Sequence, residues 1–128
     1  VNALLIDTSV WVSYFKGDSF PEIDLALKEG RVYTTGLVAS ELLSGVFNSK
    51  EKKQLEAFLK ELPLCDASFD HWCKVGALRA KLIQKGFSIS TPDAHIAQSA
   101  IDLECYLYSS DKIFGKISDK IDLKIYQK

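Results

Sequence analysis

The sequence predicts an α/β fold, a three-layer sandwich built on a central parallel sheet of four to five strands. Three observations lead there. Short apolar, β-rich runs alternate with segments of helical period, glycine, proline or polar capping residues separate them, and acidic residues recur where the strand runs end. Strands that alternate with helices are joined by crossovers, which makes them parallel and covers both faces of the sheet.

The first apolar run, Val1 to Ile6, reads as a strand that stops at Asp7. Ser9 to Phe15 continues with helical spacing, which puts Trp11, Tyr14 and Phe15 on one side. Ile23 to Leu27 reads as a short helix closed by Gly30, and Arg31 to Thr35 as a second strand rich in β-formers. Gly36 leads into a third helix from about Leu37 to Phe47. In Lys50 to Leu62, the stripe of Leu55, Phe58, Leu59 and Leu62 marks a fourth helix, stopped by Pro63. Pro63 to Asp66 is a short candidate strand.

A long amphipathic helix is expected from Ser68, its N-cap, to Lys85, with Gly86 ending it. Thr91 is expected to cap the next helix, with Pro92 at the first helical position, where its missing N–H costs nothing; that helix runs to about Leu103. Cys105 to Ser109 reads as a strand ended by Asp111, and Asp122 to Tyr126 as the last strand. Between them Ile113, Ile117, Ile121 and Ile125 alternate with Lys116, Lys120, Lys124 and Lys128, which would suit one long helix. Gly115, Ser118 and the β-favouring Leu123-Lys124-Ile125-Tyr126 favour a helical turn and then an edge strand.

With 128 residues, 47% hydrophobic and 26% charged, the chain has the size and composition of a single domain, 1–128. A chain of that length buries roughly two thirds of its unfolded surface, so no disulfide or structural metal is needed to supplement the core. Cys65, Cys73 and Cys105 are odd in number and lack a C-x-x-C spacing, so they are expected to be reduced, buried thiols. No apolar run approaches the ~18 residues of a membrane span, and the start lacks the basic-then-apolar pattern of a signal peptide, so no membrane partner and a cytoplasmic location are expected. The net charge of -1 gives no global basic footprint for phosphate binding. A cluster of catalytic acids would itself lower the net charge, and bound metal would offset it locally.

Ligands of open α/β sheets bind beyond the carboxyl ends of the strands, and this sequence puts carboxylates there repeatedly. Asp7 ends the first strand, Asp111 comes after the Cys105 to Ser109 strand, and Asp93 opens the helix before it. Glu41 has Leu37, Val38 and Gly45 as helical neighbours, so its carboxylate is expected to be partly buried, where a metal or cationic partner offsets the cost of desolvation. Singly, Asp7 and Asp111 could end strands in turns, Asp93 could complement a helix N-terminus and Glu41 could lie on a solvated face. Their joint order carries the signal, and oxygen-only ligands select Mg²⁺ or Mn²⁺ over zinc.

The segment Leu4-Leu5-Ile6-Asp7-Thr8-Ser9-Val10-Trp11 resembles the opening of PIN-domain ribonucleases, particularly the VapC-type toxins of toxin–antitoxin pairs. Glu41-Leu42-Leu43-Ser44-Gly45 resembles the second motif, Asp93-Ala94-His95-Ile96-Ala97-Gln98-Ser99-Ala100 the third, and Ser109-Ser110-Asp111-Lys112-Ile113-Phe114 the fourth. The resemblance spans nearly the whole chain. It implies a PIN-like sandwich and a metal-dependent endoribonuclease, a hydrolase of RNA phosphodiester bonds. Asp7, Glu41, Asp93 and Asp111 would be its catalytic, metal-binding acids, Mg²⁺ or Mn²⁺ its cofactor and Ser9 its hydrogen-bonding helper. Ser109 stands where a threonine is common and keeps the hydroxyl. The resemblance also implies an antitoxin protein as partner and a homodimer. The alternative is a PIN-like module that binds RNA or protein without cutting.

Arg79, Lys81 and Lys85 on the long helix, or Lys50, Lys52 and Lys53 between helices, could contact RNA phosphates, although solvated faces are the commoner role of such residues. Arg79 is the best candidate, since its guanidinium can hold phosphate in a bidentate fork. His71 and His95 lack the paired ligands of a metal site and read as structural or surface residues. A phosphoacceptor receiver domain, with Asp66 at a strand end, fails because Thr8 and Ser9 come after Asp7 where a second acid is needed. A D-x-D phosphatase fails at Ser9 for the same reason.

Overall fold

The computed structural model describes residues 2–65 and 67–127. In chain order their elements are β1 (Leu4–Ile6), α1 (Thr8–Phe15), α2 (Pro21–Lys28), β2 (Val32–Tyr33), α3 (Gly36–Ser44) and α4 (Ser49–Lys60). Then come α5 (Phe69–Gln84), α6 (Thr91–Leu103), β3 (Tyr106–Tyr108), α7 (Lys112–Ile117) and a 3-10 turn at Ser118–Lys120. The strands form a parallel sheet in the order β2-β1-β3, with Leu5 opposite Tyr33 on one side and Leu107 on the other. Leu4, Leu5 and Ile6 are all buried, and successive strand residues face opposite sides, so both faces of β1 are covered.

Three strands form among the described residues, fewer than the four to five expected. At the outer edges the pairing shrinks to single parallel bridges, Thr34 with Leu64 and Leu107 with Ile125. Local chemistry limits both. Pro63 supplies only its carbonyl, which accepts from Thr34 N at 3.0 Å, and its missing N–H cannot extend a ladder. At the other edge Asp122 takes a left-handed φ of 56°, which turns the chain just before Ile125. Val1, Asp66 and Lys128, which entered the expected first strand, the candidate third strand and the isoleucine–lysine repeat, lie outside the described residues.

The helices obey their caps. Thr35 accepts from Val38 N at the start of α3, Asn48 from Lys50 N and Glu51 N at α4, and Ser68 from His71 N at α5, as expected for Ser68. At α6 the cap is Ser90 rather than Thr91. Ser90 keeps extended backbone (φ -77°, ψ 160°) and accepts from Asp93 N at 3.2 Å, which moves Pro92 to the second helical position. Gly86, at φ +91°, ends α5 with a reciprocal pair of bonds, Phe87 N to Leu82 O and Gly86 N to Ile83 O, a backbone path that favours glycine.

Alanines 94, 97 and 100 on α6 are fully buried. Their small side chains let α6 lie close to its neighbours. On the α5 side the helices meet through Val75, Leu78 and Leu82 and through a buried bond between His71 Nε2 and His95 Nδ1 at 2.8 Å. Trp11 is fully buried, stacks on Phe15 with centroids 5.5 Å apart and meets Phe58 edge-on, whereas Phe15 itself stays exposed. Cys65 and Cys105 are buried as expected, but Cys73 is exposed on α5. No helix among the described residues is long and apolar enough to cross a membrane.

Leu5 sits at the centre of the sheet with no exposed surface. Leu5→Ala should therefore cost about 2–5 kcal/mol, the range for leucine cavities in packed cores. A lowered urea midpoint at unchanged slope is the expected result.

Candidate active site

Adjacent parallel strands end side by side, so the residues just beyond β1 meet those just beyond β3. Asp7 N donates to Tyr108 O at 2.9 Å, extending the pairing one residue past β1, and Asp7 then caps α1. Both of its carboxylate oxygens are engaged: Oδ1 accepts from Thr8 N at 2.8 Å and Oδ2 from Ser109 Oγ at 2.8 Å. Ser109 Oγ in turn accepts from Asp111 N at 3.0 Å, so one hydroxyl ties the first acid to the backbone of the last. Asp111 caps α7 through Ile113 N, and Ser9 Oγ accepts from Ser110 N, holding the same loop from the α1 side.

Glu41 arrives from α3. It is exposed, contrary to the expectation of partial burial, because α3 turns Val38 and Leu42 to the core and leaves position 41 outside. Its place is set by a hydrogen bond, Thr8 Oγ1 to Glu41 Oε1 at 2.8 Å. Asp93 lies half-buried in the first turn of α6, clipped to Ser90.

The electrostatics show that the four carboxylates share one region. Burial lifts the Asp7 carboxyl above the ordinary aspartate value; bonds from Ser109 and Thr8 oppose this, and the charges of Glu41 and Asp111 add to it. Burial lifts Asp93 as well, with Ser90 opposing and Asp111, Asp7 and Glu41 adding. All four expected acids are thus brought together, and Ser9 and Ser109 are built into their support. Thr8 and Ser90 also belong to that support and received no role from the sequence. The signal available was a hydroxyl beside the first acid and another three residues before the third, a capping-box spacing.

Arg79 forms no hydrogen bond or ion pair with the four acids among the described residues; its Nε donates to Ile89 O at 2.8 Å, beside the Ser90 cap. Lys50, Lys52 and Lys53 are exposed at the start of α4. His71 and His95 are buried and paired with each other.

The donor set suits a hard divalent cation, being oxygen-only and under mutual repulsion. Its spacing is open. Among the described residues no group of three or more His, Cys, Asp or Glu side chains is close enough to hold one ion. Magnesium-type sites commonly combine one or two carboxylates with water and substrate oxygens, which fits such a cleft.

A parallel α/β sheet with four carboxylates gathered beyond its carboxyl edge defines the class of protein. The chain belongs to the PIN-domain family, whose pattern matches residues 4–120. It is 30% identical over 125 residues to Ribonuclease VapC2 of Rickettsia felis, an alignment covering 91% of this chain and 93% of that one. Among solved structures it is similar to VapBC2 from Rickettsia felis bound to a DNA fragment from its promoter, with 27% identity, 97% of each chain covered and a TM-score of 0.74. DNA-bound VapBC from Salmonella typhimurium shares the fold, with a TM-score of 0.78 over 98% of each chain at 19% identity.

The raised pKa of Asp7 and Asp93 has a definite sign. A carboxyl raised by folding contributes stability that is complete below its unfolded value, near 3.8, and is lost as pH rises through the folded value. At neutral pH both acids therefore oppose folding of the metal-free protein. Asp93→Asn keeps the shape and an acceptor for Ser90 but removes the charge. It should raise stability at pH 7 in chelator by about 1 kcal/mol or less after solvent screening. Thermal melts at pH 7 and near pH 3.5 check this: the mutant's advantage should shrink at the acid end. A clear loss of stability at pH 7 would make Asp93 a helix-capping acid only.

Proposed function

We propose that this chain is a divalent-metal-dependent endoribonuclease, acting as one PIN domain and serving as the toxin of a type II toxin–antitoxin pair. The observation that carries the reading is the convergence of Asp7, Glu41, Asp93 and Asp111, each held by a hydroxyl or a helix start, beyond the sheet's carboxyl edge. The name of the Rickettsia felis relative, a ribonuclease, supports the RNA substrate, and the VapBC assemblies among similar structures support an antitoxin partner. We further propose that the chain forms a homodimer.

In this reading Asp7, Glu41, Asp93 and Asp111 would hold Mg²⁺ or Mn²⁺ together with water and phosphate oxygens, and the ion would neutralise phosphate charge and acidify the attacking water. The residues of the chain do the positioning. Ser109 and Thr8 fix both oxygens of Asp7, Thr8 fixes Glu41, and Ser90 fixes Asp93 at the start of α6. A water oxygen then forms a bond to phosphorus as the bond to the leaving ribose oxygen breaks in line. No side-chain nucleophile is required.

Purified protein should cleave RNA with Mg²⁺ or Mn²⁺ and stop in excess EDTA. Asp7→Asn should lower the rate by about 100-fold or more, the scale of losing one strong electrostatic contact in a transition state. Cleavage that persists undiminished in EDTA would refute the metal-dependent mechanism. RNA binding without metal-dependent cleavage would instead favour a non-cleaving PIN-like module.

A further inference from the structure

The exposed side of α5 carries a stripe unrelated to the core. Phe69, Trp72, Gly76 and Arg79 succeed one another at helical spacing and so share a face. Phe69 is 83% and Trp72 40% exposed, Gly76 is exposed and Arg79 is half-buried. The Trp72 ring is not loose: it stacks on the buried His95 ring, centroids 4.8 Å apart and planes at 18°, while His71 meets it edge-on. His95 is in turn fixed by its bond to His71.

The stripe borders the start of α6. Its aromatic end touches His95, in the first turns of α6 but on the face of that helix turned away from Asp93. Its cationic end touches Ile89, the residue before the Ser90 cap. Only the Nε of Arg79 is used there, and no ion pair among the described residues involves its guanidinium. Between the two ends, a side chain at Gly76 would meet nothing within 4 Å, so the helix surface is bare and open.

We propose that this stripe is a track for single-stranded RNA bordering the first turns of α6, with one base stacked on Trp72, the backbone passing over Gly76 and a phosphate held by Arg79. The proposal rests on the ribonuclease reading and adds to it where the substrate lies. Three features single out RNA as the occupant. A flat ring with a rigid backing suits any base face, Arg79 complements phosphate about 10 Å further along the helix, and a cleft of four carboxylates needs its polyanionic substrate gripped from outside.

The chain has two tryptophans, and Trp11 is fully buried, so quenching by an added ligand reports chiefly on Trp72. A single-stranded RNA oligonucleotide titrated against the full chain in EDTA should quench fluorescence and saturate. Trp72→Ala should weaken binding, monitored by oligonucleotide anisotropy, by about 5- to 100-fold, with Trp72→Tyr retaining most of it. Arg79→Gln should reduce the slope of log affinity against log salt by about one. A Cβ at position 76 meets nothing within 4 Å, so Gly76→Gln should raise the melting temperature through better helix propensity and weaken binding by obstruction.

Binding of all these variants within about twofold of wild type would overturn the track, as would failure of wild type to bind. A changed oligomeric mass for Trp72→Ala at unaltered RNA affinity would assign the stripe to a protein interface and overturn it too. Metal-dependent cleavage with unchanged KM in the variants would sink the track alone. Absence of any metal-dependent cleavage by wild type would sink the nuclease reading itself.

Discussion

Repulsion among four carboxylates gathered at one end of a three-stranded sheet is the constraint that organises the rest of this molecule. Two unit charges ~5 Å apart repel by roughly 3 kcal/mol at an effective dielectric near 20. Much of the local structure opposes that term. Ser109 donates to Asp7 while accepting from Asp111, Thr8 bonds both Asp7 and Glu41, and Ser90 clips Asp93. Three of the acids also stand at the starts of α1, α6 and α7, where free N–H groups and the helix dipole favour negative charge by about 0.3–1 kcal/mol each. Asp7 and Asp93 both remain raised, chiefly by burial, with the neighbouring carboxylates adding to it. A cation in the cleft would offset both causes.

The features legible in the sequence and those hidden from it divide along physical lines. Element types and their order are written in periodicity and punctuation, which depend on local residues: Ser68 and Gly86 bound α5 as expected, and Asp7 and Asp111 lie just beyond β1 and β3 as expected. Outer strands depend on partners far away in sequence, so Leu64 and Ile125 contribute bridges rather than strands. Ser90 and Thr91 are both competent caps. The choice between them falls on which residue keeps extended backbone and places its hydroxyl on the third N–H, here Ser90. Glu41 is exposed despite apolar helical neighbours, because those neighbours show that α3 has an apolar face without fixing where its edge lies. The Thr8–Glu41 bond joins residues 33 apart and leaves no local signal.

The histidines show the same limit more sharply. Each alone looks like a surface or structural residue, yet together they form a buried pair between α5 and α6. One hydrogen lies between the two rings, whose nitrogens are 2.8 Å apart, and its position is dictated by the surroundings. Asp102 Oδ2 lies 3.9 Å from His71 Nδ1, which favours the proton there and makes His95 Nδ1 the donor to His71 Nε2. His95 Nε2 is then a bare lone pair, buried and without a partner among the described residues, and no N–H is orphaned there. Burial beside His71 also pushes His95 down to about 4, so the ring stays neutral through the physiological range. The pair therefore acts as a fixed polar pin, and it sets where α6, and with it Asp93, sits against α5.

That pin links packing to electrostatics at the first turn of α6. One face of the turn is locked to α5, while Asp93 belongs to the acidic cleft. The net charge of -1 then stops being an argument against a nucleic-acid substrate, because the relevant charges are local rather than global. Without a cation the cleft repels phosphate. A divalent ion bound there would reverse the local sign, so on the proposed reading metal and RNA each strengthen the binding of the other, by the same factor in both directions. Cations outside the cleft, Arg79 among them on the proposed reading, would act whether or not metal is bound. The geometry divides the labour: contacts along α5 would supply affinity that is sensitive to salt, and the carboxylates would make productive binding conditional on metal.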